Sequence, residues 1–322
     1  MLVKRFEEVG KDDVPTAGDK GANLGELARA GVNVPPGVVV TTEAYRLFLD
    51  RNDVRRHIEE LLAQAKGEDL MAVSATIRKL VEYSPLPDEV SKAARDAYSF
   101  LAKVLKPDEE HFDPPVAVRS AQHTKPWSPT RFTYGGQFDT YLNVVGPDKV
   151  LAHVRKCYAS VWSAKNIEHR HANGIGHFDV EIACVVMGML EPEVSGVLFT
   201  ADPDSGDRGR AVIKSSWGLG EAVVSGLVVP DSYVVEKATG KVAQKTVSKK
   251  EVMVVANADG VGIRQVPEYM RERATLSSVN VKKLVETGEK VAQHYGAPQD
   301  IEWALFQNEL FLLQSRSIRF KD

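Results

Sequence analysis

The sequence predicts a mixed α/β (α+β) fold built as two lobes. Its 322 residues suit two domains or one large bilobal domain, and a hydrophobic content of 43% is ample for buried cores. Short apolar stretches such as 113–120 and 194–200 are typical of strands, whereas the charged, periodic stretch 52–106 is typical of helices. We expect an N-terminal lobe over residues 1–190 and a C-terminal lobe over residues 191–322.

Charge and cysteine usage narrow the class of protein. The chain has 41 basic and 44 acidic residues, a formal charge of −3, and so lacks the basic excess of nucleic-acid-binding domains. Cys157 and Cys184 have no metal or redox spacing, so we expect ordinary buried thiols. The N-terminal stretch MLVKRFEEVG has no apolar signal core, and no apolar run reaches membrane-spanning length. These features favour a cytoplasmic protein with no nucleic-acid or membrane partner.

The first motif is a glycine-rich turn that leads into a helix. Gly18, Gly21 and Gly25 surround Lys20, and helical spacing of apolar residues follows. Backbone N–H groups in such a turn, together with a lysine, can hold phosphate. A plain turn with an N-cap fits the same pattern. The residue order of a Walker A loop is absent.

Arg119 lies at the end of the apolar strand 113–120. A charged residue at that place is often aimed into a cleft, although a structural ion pair explains it as well. Prolines and glycines then predict a long loop, including 122–134, before a strand at 141–145. The glycine pair that ends at Gly136 would let the backbone approach a ligand closely.

The central part of the chain is predicted to contain several strands and helices but few candidate site residues. Glu221, after a Gly-x-Gly turn, either joins an acidic cation site or only begins a helix. The periodicities predict a single helix at 150–170, strands at 179–190 and 194–200, a hairpin at 231–246, a polar loop at 247–274 and a helix at 279–295.

The chain closes on a predicted hairpin, 299–316, in which apolar and polar residues alternate. A three-residue loop at 307–309 would set Glu302 opposite Gln314 and Asp300 opposite Arg316, whereas a two-residue loop would split them. On the three-residue register, two carboxylates, an amide and a guanidinium share one face. That set suits a divalent cation carrying polyphosphate. An amphipathic hairpin with a solvated polar face is the alternative.

Several stretches together resemble one family from end to end. Six motifs recur in the family's order and approximate spacing: GDKGANLGEL, VAVRS, GQFDTYLNV, SGVLFTADPDSG, WGLGEAVVSG, and HYGAPQDIEWAL with LLQSR. They resemble the ATP-binding domain of phosphoenolpyruvate synthase, pyruvate phosphate dikinase, rifampin phosphotransferase and phenylphosphate synthase. The resemblance implies the ATP-grasp fold, with two lobes that close on Mg-ATP.

The resemblance also implies roles for individual residues. It assigns polyphosphate binding to Lys20 and Arg119, nucleotide contacts to Gly136 and Thr140, metal ligation to Glu302 and Gln314, and a phosphate clamp to Arg316. Arg119 and Arg316 are the catalytic residues in this assignment, and Asp300 and Glu221 fit the same site.

Three departures from the family pattern stand out. Gln122 to Lys125 replace an acidic segment, Met187 stands where a glutamine is expected, and Ser317 replaces a proline after Arg316. The first is the most serious, because it falls where the phosphates should lie.

In this family ATP phosphorylates a histidine on a swivelling domain, and AMP and phosphate are the other products. No histidine here sits in such a segment, so the resemblance implies a phosphohistidine-carrying partner domain or subunit that serves a small-molecule acceptor. The N-terminal Met and the short tail after Arg316 favour a separate subunit, as in phenylphosphate synthase, with a phenol-type acceptor ahead of pyruvate. An excised domain of a longer enzyme is the second interpretation. A nucleotide-binding regulatory chain without turnover is the alternative function.

Overall fold

The fold is α+β, as predicted, in a computed structural model that describes residues 1–64, 69–124, 139–258, 260–318 and 320. The chain divides into two compact units. The first contains Met1–Glu26 and Pro36–Met189, and the second contains Leu27–Pro35 and Leu190–Asp322. The second unit therefore recruits Leu27–Pro35, which the division by sequence assigned to the N-terminal lobe.

The first unit is an antiparallel sheet with most of its helices on one face. Its strands lie in the order β1-β2-β5-β3-β4. The elements of this part of the chain are β1 (Val3–Arg5), α1 (Val14–Arg29, whose end belongs to the second unit), β2 (Gly37–Val40), α2 (Thr42–Asp50), α3 (Val54–Gln64), α4 (Leu70–Tyr83), α5 (Asp88–Leu105), β3 (Val116–Thr124), β4 (Thr140–Val144), α6 (Pro147–Ser160), α7 (Ala164–Ala172) and β5 (Val180–Gly188).

One face of this sheet forms the core with α2 to α7. Alternate strand residues such as Val38, Val118 and Cys184 join that core, as the period of two in a strand requires. Cys184 and Cys157 are both free and buried there, in agreement with the prediction for the thiols. The single helix predicted at 150–170 is two helices, because Ser163 accepts the Asn166 N–H and starts α7 as its N-cap.

The second unit is a six-stranded antiparallel sheet with a separate two-stranded one. The larger sheet has the order β13-β12-β6-β7-β8-β9. Its elements are β6 (Val194–Phe199), β7 (Arg210–Trp217), α8 (Glu221–Val224), β8 (Asp231–Glu236), β9 (Lys241–Thr246), β10 (Val252–Asn257), β11 (Gly260–Gln265), α9 (Glu268–Arg271), α10 (Ser278–Tyr295), β12 (Gln299–Phe306) and β13 (Glu309–Ser317).

The prediction of a polar loop at 247–274 is wrong. β10 and β11 pair with each other as a hairpin within it, and α9 follows. The run VMVVAN carried a strand signal, but the charged residues around it obscured that signal. Helix α10 begins one residue before the predicted start and ends at the predicted residue, Tyr295. Its apolar stripe packs on the large sheet through Leu284 and Val291.

A fully buried ion pair ties the loops of the second unit to β8. Lys250 Nζ lies 2.6 Å from Asp231 Oδ1 and donates to the Ser248 carbonyl at 2.6 Å, with both charged side chains 0% exposed. The second carboxylate oxygen accepts the Thr275 N–H at 2.8 Å and the Thr275 hydroxyl at 2.9 Å. Every charge in this network is thus matched, as buried charges require.

Within the described ranges no helix combines the length and the apolar character needed to cross a bilayer.

Candidate functional site

The glycine-rich turn is a kink inside α1 that lies against β3. Gly18 has φ 67° and ψ 172°, outside the helical region. A Cβ at this position would stand 2.3 Å from the Ala121 carbonyl oxygen. Both the backbone conformation and the close approach therefore require glycine.

Asp19 and Lys20 bind the outer edge of β3. Asp19 Oδ1 accepts the Gln122 N–H at 3.1 Å, and Lys20 Nζ donates to the Ser120 carbonyl at 2.8 Å. β4 pairs only with the first part of β3, up to Arg119. Beyond Arg119, Asp19 and Lys20 bind backbone groups of β3 on the edge where β4 no longer pairs. Burial raises the pKa of Asp19, and the neighbouring Lys20 charge opposes the rise.

Arg119 and Thr140 lie directly opposite each other on β3 and β4. They share a row with Val185 of β5 and Val39 of β2, on the sheet face that looks away from the helical core. Arg119 is 9% exposed, whereas Thr140 is exposed. Lys20 donates to the carbonyl of Ser120, the residue that follows Arg119. We call the two cations, Lys20 and Arg119, together with the facing Thr140, the cation cluster. Gly136, the fourth residue predicted for this lobe, lies outside the described residues.

β3 continues past Arg119 into the stretch where the sequence predicted a loop. Gln122, His123 and Thr124 belong to β3 and are buried, and the remainder of 122–134 lies outside the described residues. His123 faces Glu181 across the sheet, and Arg46 reaches Glu181 at 3.7 Å. The residues that depart from the family's acidic segment therefore lie, in part, in the buried end of β3.

Met187, the second departure, is a buried residue of β5. It pairs with Ala117 on β3 and with Gly37 on β2, and it is 3% exposed. By strand alternation it lies on the same sheet face as Arg119.

The closing hairpin has the predicted polar register but reaches it differently. Glu302 lies opposite Gln314, and Asp300 lies opposite Arg316. The loop is not the predicted three-residue one: Gln307 and Asn308 alone form the turn, with φ 51° and 63°, the left-handed values of a type I′ hairpin. A β-bulge between Glu302 and Trp303 then shifts the register by one residue.

The bulge changes which apolar residues enter the core. Leu313 is the extra residue, because Trp303 pairs with Leu312 and Glu302 pairs with Gln314. Leu310 and Leu312 are therefore buried in the core. A three-residue loop would instead have placed the odd-numbered residues of β13 there.

The polar side of this hairpin, which we call the hairpin face, consists of Asp300, Glu302, Gln314 and Arg316. Arg316 Nε and Nη2 lie 2.8 and 2.7 Å from Asp300 Oδ2. The Arg316 side chain is 57% exposed, whereas the Asp300 side chain is 12% exposed. Burial raises the pKa of Asp300, Arg316 opposes this, and the Glu302 charge adds to the rise.

The hairpin face fits a magnesium ion that is shared with phosphate. Glu302 and Gln314 offer a carboxylate and an amide oxygen from directly paired positions, and both are hard ligands. Among the described residues, no three His, Cys, Asp or Glu side chains form a metal-type group. Mg²⁺ commonly takes only one or two protein ligands and completes its shell with phosphates and water, so a two-ligand face is sufficient.

Glu221 does not share the row of Glu302. Glu221 is exposed and begins α8, beyond the end of β7. β7 ends at Trp217, which lies opposite Val194 on β6. Glu302 lies opposite Val197, three residues further along β6. The structure supports the simpler interpretation of Glu221 as a helix start. Lys214, which no motif singled out, does lie in the row of Glu302, because it pairs with Val197 on β7.

Comparisons with known proteins agree with the resemblance of the motifs. The family described as the pyruvate phosphate dikinase AMP/ATP-binding domain matches residues 14–322. A probable phosphoenolpyruvate synthase of Pyrococcus horikoshii is 39% identical over 362 residues, which cover 98% of this chain and 43% of the relative. The phosphoenolpyruvate synthase of Pyrococcus furiosus is 38% identical over 361 residues, with 98% and 44% covered.

A rifampicin phosphotransferase of Streptomyces sviceus is 38% identical over 319 residues, which cover 97% of this chain and 35% of the relative. The chain thus spans less than half the length of these three relatives. Since the family match extends over nearly the whole sequence, the chain belongs to the pyruvate phosphate dikinase AMP/ATP-binding domain family.

Proposed function

We propose that this chain binds Mg-ATP and acts as the nucleotide module of an ATP-dependent phosphotransferase. The observation that carries the proposal is the pairing of Glu302 with Gln314 beside the Asp300–Arg316 ion pair. A carboxylate and an amide on one strand pair suit a magnesium ion, and an exposed guanidinium next to them suits a phosphate oxygen.

The cation cluster supplies the second part of the proposal. Lys20 and Arg119 contribute positive charge for the polyphosphate, and Thr140 contributes a hydroxyl. Lys20 is positioned by its bond to Ser120, and Arg119 is held on a central strand of its sheet. Such fixed cations are effective because phosphoryl transfer depends mainly on positioning and charge neutralisation.

Magnesium bound at Glu302 and Gln314 would neutralise phosphate charge and orient the polyphosphate. Arg316 would bind a phosphate oxygen with the part of its guanidinium that Asp300 leaves exposed. Asp300 would orient this arginine and keep it on the strand. We assign the catalytic role to Arg119 and Arg316, which would stabilise charge on the transferred group.

We further propose that the β-phosphoryl group passes to a histidine on a partner domain or subunit, while water takes the γ-phosphoryl group as orthophosphate and AMP is the leaving group. The relatives' names favour pyruvate as the final acceptor over the phenol-type acceptor that the sequence suggested. A phenylphosphate synthase subunit stays a second candidate. The cytoplasmic location also stays a prediction.

A nucleotide-binding regulatory chain is the competing function. The observation that favours it is the buried end of β3, Gln122–Thr124, which carries no carboxylate although the resemblance implies an acidic segment there. Both functions require ATP binding, so turnover separates them.

Two measurements test the proposal. Calorimetry should show ATP binding that depends on Mg²⁺ and disappears with a chelator, and an absence of binding would refute both functions. Incubation with β-labelled ATP and a phosphohistidine polypeptide should then give AMP and a labelled histidine on that partner. ADP formed by the chain alone would overturn the proposed reaction, and binding without any product would favour the regulatory alternative.

A further inference from the structure

The large sheet of the second unit carries an additional cation in line with the proposed metal ligands. Along one row across the strands, Gln314 pairs with Glu302, Glu302 with Val197, Val197 with Lys214, and Lys214 with Ser232. Paired residues in neighbouring strands point to the same face of a sheet. Lys214 therefore shares the face of Glu302 and Gln314, although 88 residues separate Lys214 from Glu302 in the sequence.

Around Lys214 and Glu302 this face is only partly covered. Val197 and Phe199 on β6 are only partly buried, as are Lys214 and Glu302. The alternate residues Val194 and Leu198 are buried in the core with α10. A lysine on the core side would need a buried partner, whereas a lysine on the partly covered side is available to a ligand.

The spacing suits a shared anion. Strands lie about 4.8 Å apart, so the Cα atoms of Lys214 and Glu302 are separated by roughly 10 Å across β6. The residue between them, Val197, has a short side chain. A lysine stem is long enough to bring its ammonium over that gap. In the described part of the chain no carboxylate lies within ion-pair distance of Lys214.

A second polar group, the Ser216 hydroxyl, lies on the same side of β7 as Lys214. Ser216 lies two residues beyond Lys214 and pairs with Ser195. Its hydroxyl is buried and has no hydrogen-bond partner among the described residues. Buried hydroxyls are normally satisfied, so this strand presents a cation and an unused donor on one side.

We propose that Lys214 binds the polyphosphate of the nucleotide and positions it against the metal ligands Glu302 and Gln314. The inference rests on the proposed function. It assigns Lys214 to the phosphates rather than to the base or ribose, because an ammonium beside the proposed metal ligands is complementary to a phosphate oxygen.

The test compares Lys214→Met with wild type by calorimetry, using Mg-ATP and AMP as separate ligands. Met keeps the length of the stem and removes the charge. Affinity for Mg-ATP should fall roughly tenfold to a hundredfold, as expected for a lost charged hydrogen bond, while affinity for AMP should change by less than about threefold. Lys214→Arg should recover part of the Mg-ATP affinity, because it restores the charge.

Lys241→Met is the matched control, since Lys241 is an exposed residue of edge strand β9 in the same sheet. It changes the net charge equally and should leave both affinities unchanged. Circular dichroism and thermal denaturation of each variant verify folding. If wild type binds Mg-ATP and Lys214→Met binds it equally well, or loses AMP and ATP affinity alike, Lys214 does not hold the polyphosphate. If wild type itself does not bind, the proposed function fails.

Discussion

Replacing Lys250 with methionine is expected to destabilise the second unit by about 3 kcal/mol. The substitution removes the ammonium from a site where it contacts Asp231 and the Ser248 carbonyl, each at 2.6 Å. Both charged side chains are fully buried. The Asp231 carboxylate would remain buried without a counter-charge, which is the costly consequence of breaking such a pair.

The magnitude follows from what remains around Asp231. Losing one partner of a buried ion pair costs about 3–5 kcal/mol. The Ser248 N–H still donates to Asp231 at 3.0 Å, and the Thr275 N–H and hydroxyl also remain. These three donors stabilise the lone carboxylate, so we expect the low end of the range.

Urea denaturation followed by far-ultraviolet circular dichroism and tryptophan fluorescence measures the loss. A double variant, Lys250→Met with Asp231→Asn, should recover part of it, because no unpaired charge is left buried. Lys92→Met is the control: Lys92 pairs with Asp96 at 2.8 Å on the exposed side of α5, and its loss should cost at most about 0.5 kcal/mol. A loss below about 1 kcal/mol for Lys250→Met, or a double variant weaker than the single one, would refute the reasoning.

Three further predictions concern the candidate site. Glu302→Ala should weaken Mg-ATP binding about tenfold or more, measured by calorimetry, and in a chelator neither wild type nor the variant should bind ATP measurably. Gly18→Ala should lower the free energy of unfolding by about 2–5 kcal/mol, because it adds a clash with a carbonyl to an unfavourable φ. Gly31→Ala, with φ 73° and open space, should lose only about 1 kcal/mol in the same denaturation experiment. Asp19→Asn keeps the acceptor for β3. Since burial raises the pKa of Asp19, the native state retains this proton to higher pH than the unfolded chain, and wild type loses stability as the pH rises from 3.8 through the folded pKa. The Asn variant should lack that loss, so denaturation curves across the acidic range that run parallel for the two proteins would contradict the assignment.

Local pattern was sufficient where one strand face is polar and the other apolar. The alternation around Glu302 and Gln314 predicted their shared face, yet the loop length was wrong. Pairing Glu302 with Gln314 requires one residue more than a two-residue turn provides. That residue can lie either in the turn or in a bulge, and both arrangements give the same polar pairs. Packing of Trp303 against Leu312 decides between them, and that contact is not visible in the sequence.

Long-range partners explain what the sequence could not predict. Gln122 and Thr124 are polar and suggested a loop, but Asp19 and β5 satisfy the backbone of this segment from the two sides. Lys214 carried no signal at all, since its place opposite Val197 depends on the register of three strands. In both cases the deciding neighbour lies far away in the sequence.

The bulge in the closing hairpin has a consequence for mutational tolerance. Leu313 is the extra residue of the bulge, next to the pair of Glu302 with Gln314. Deleting it would give an uninterrupted ladder and would leave Gln314 and Arg316 opposite their present partners. Deleting Leu312 instead would force Leu313 against Trp303. A chain of this kind can therefore lose a residue at one position of the strand without changing the chemistry of its polar face.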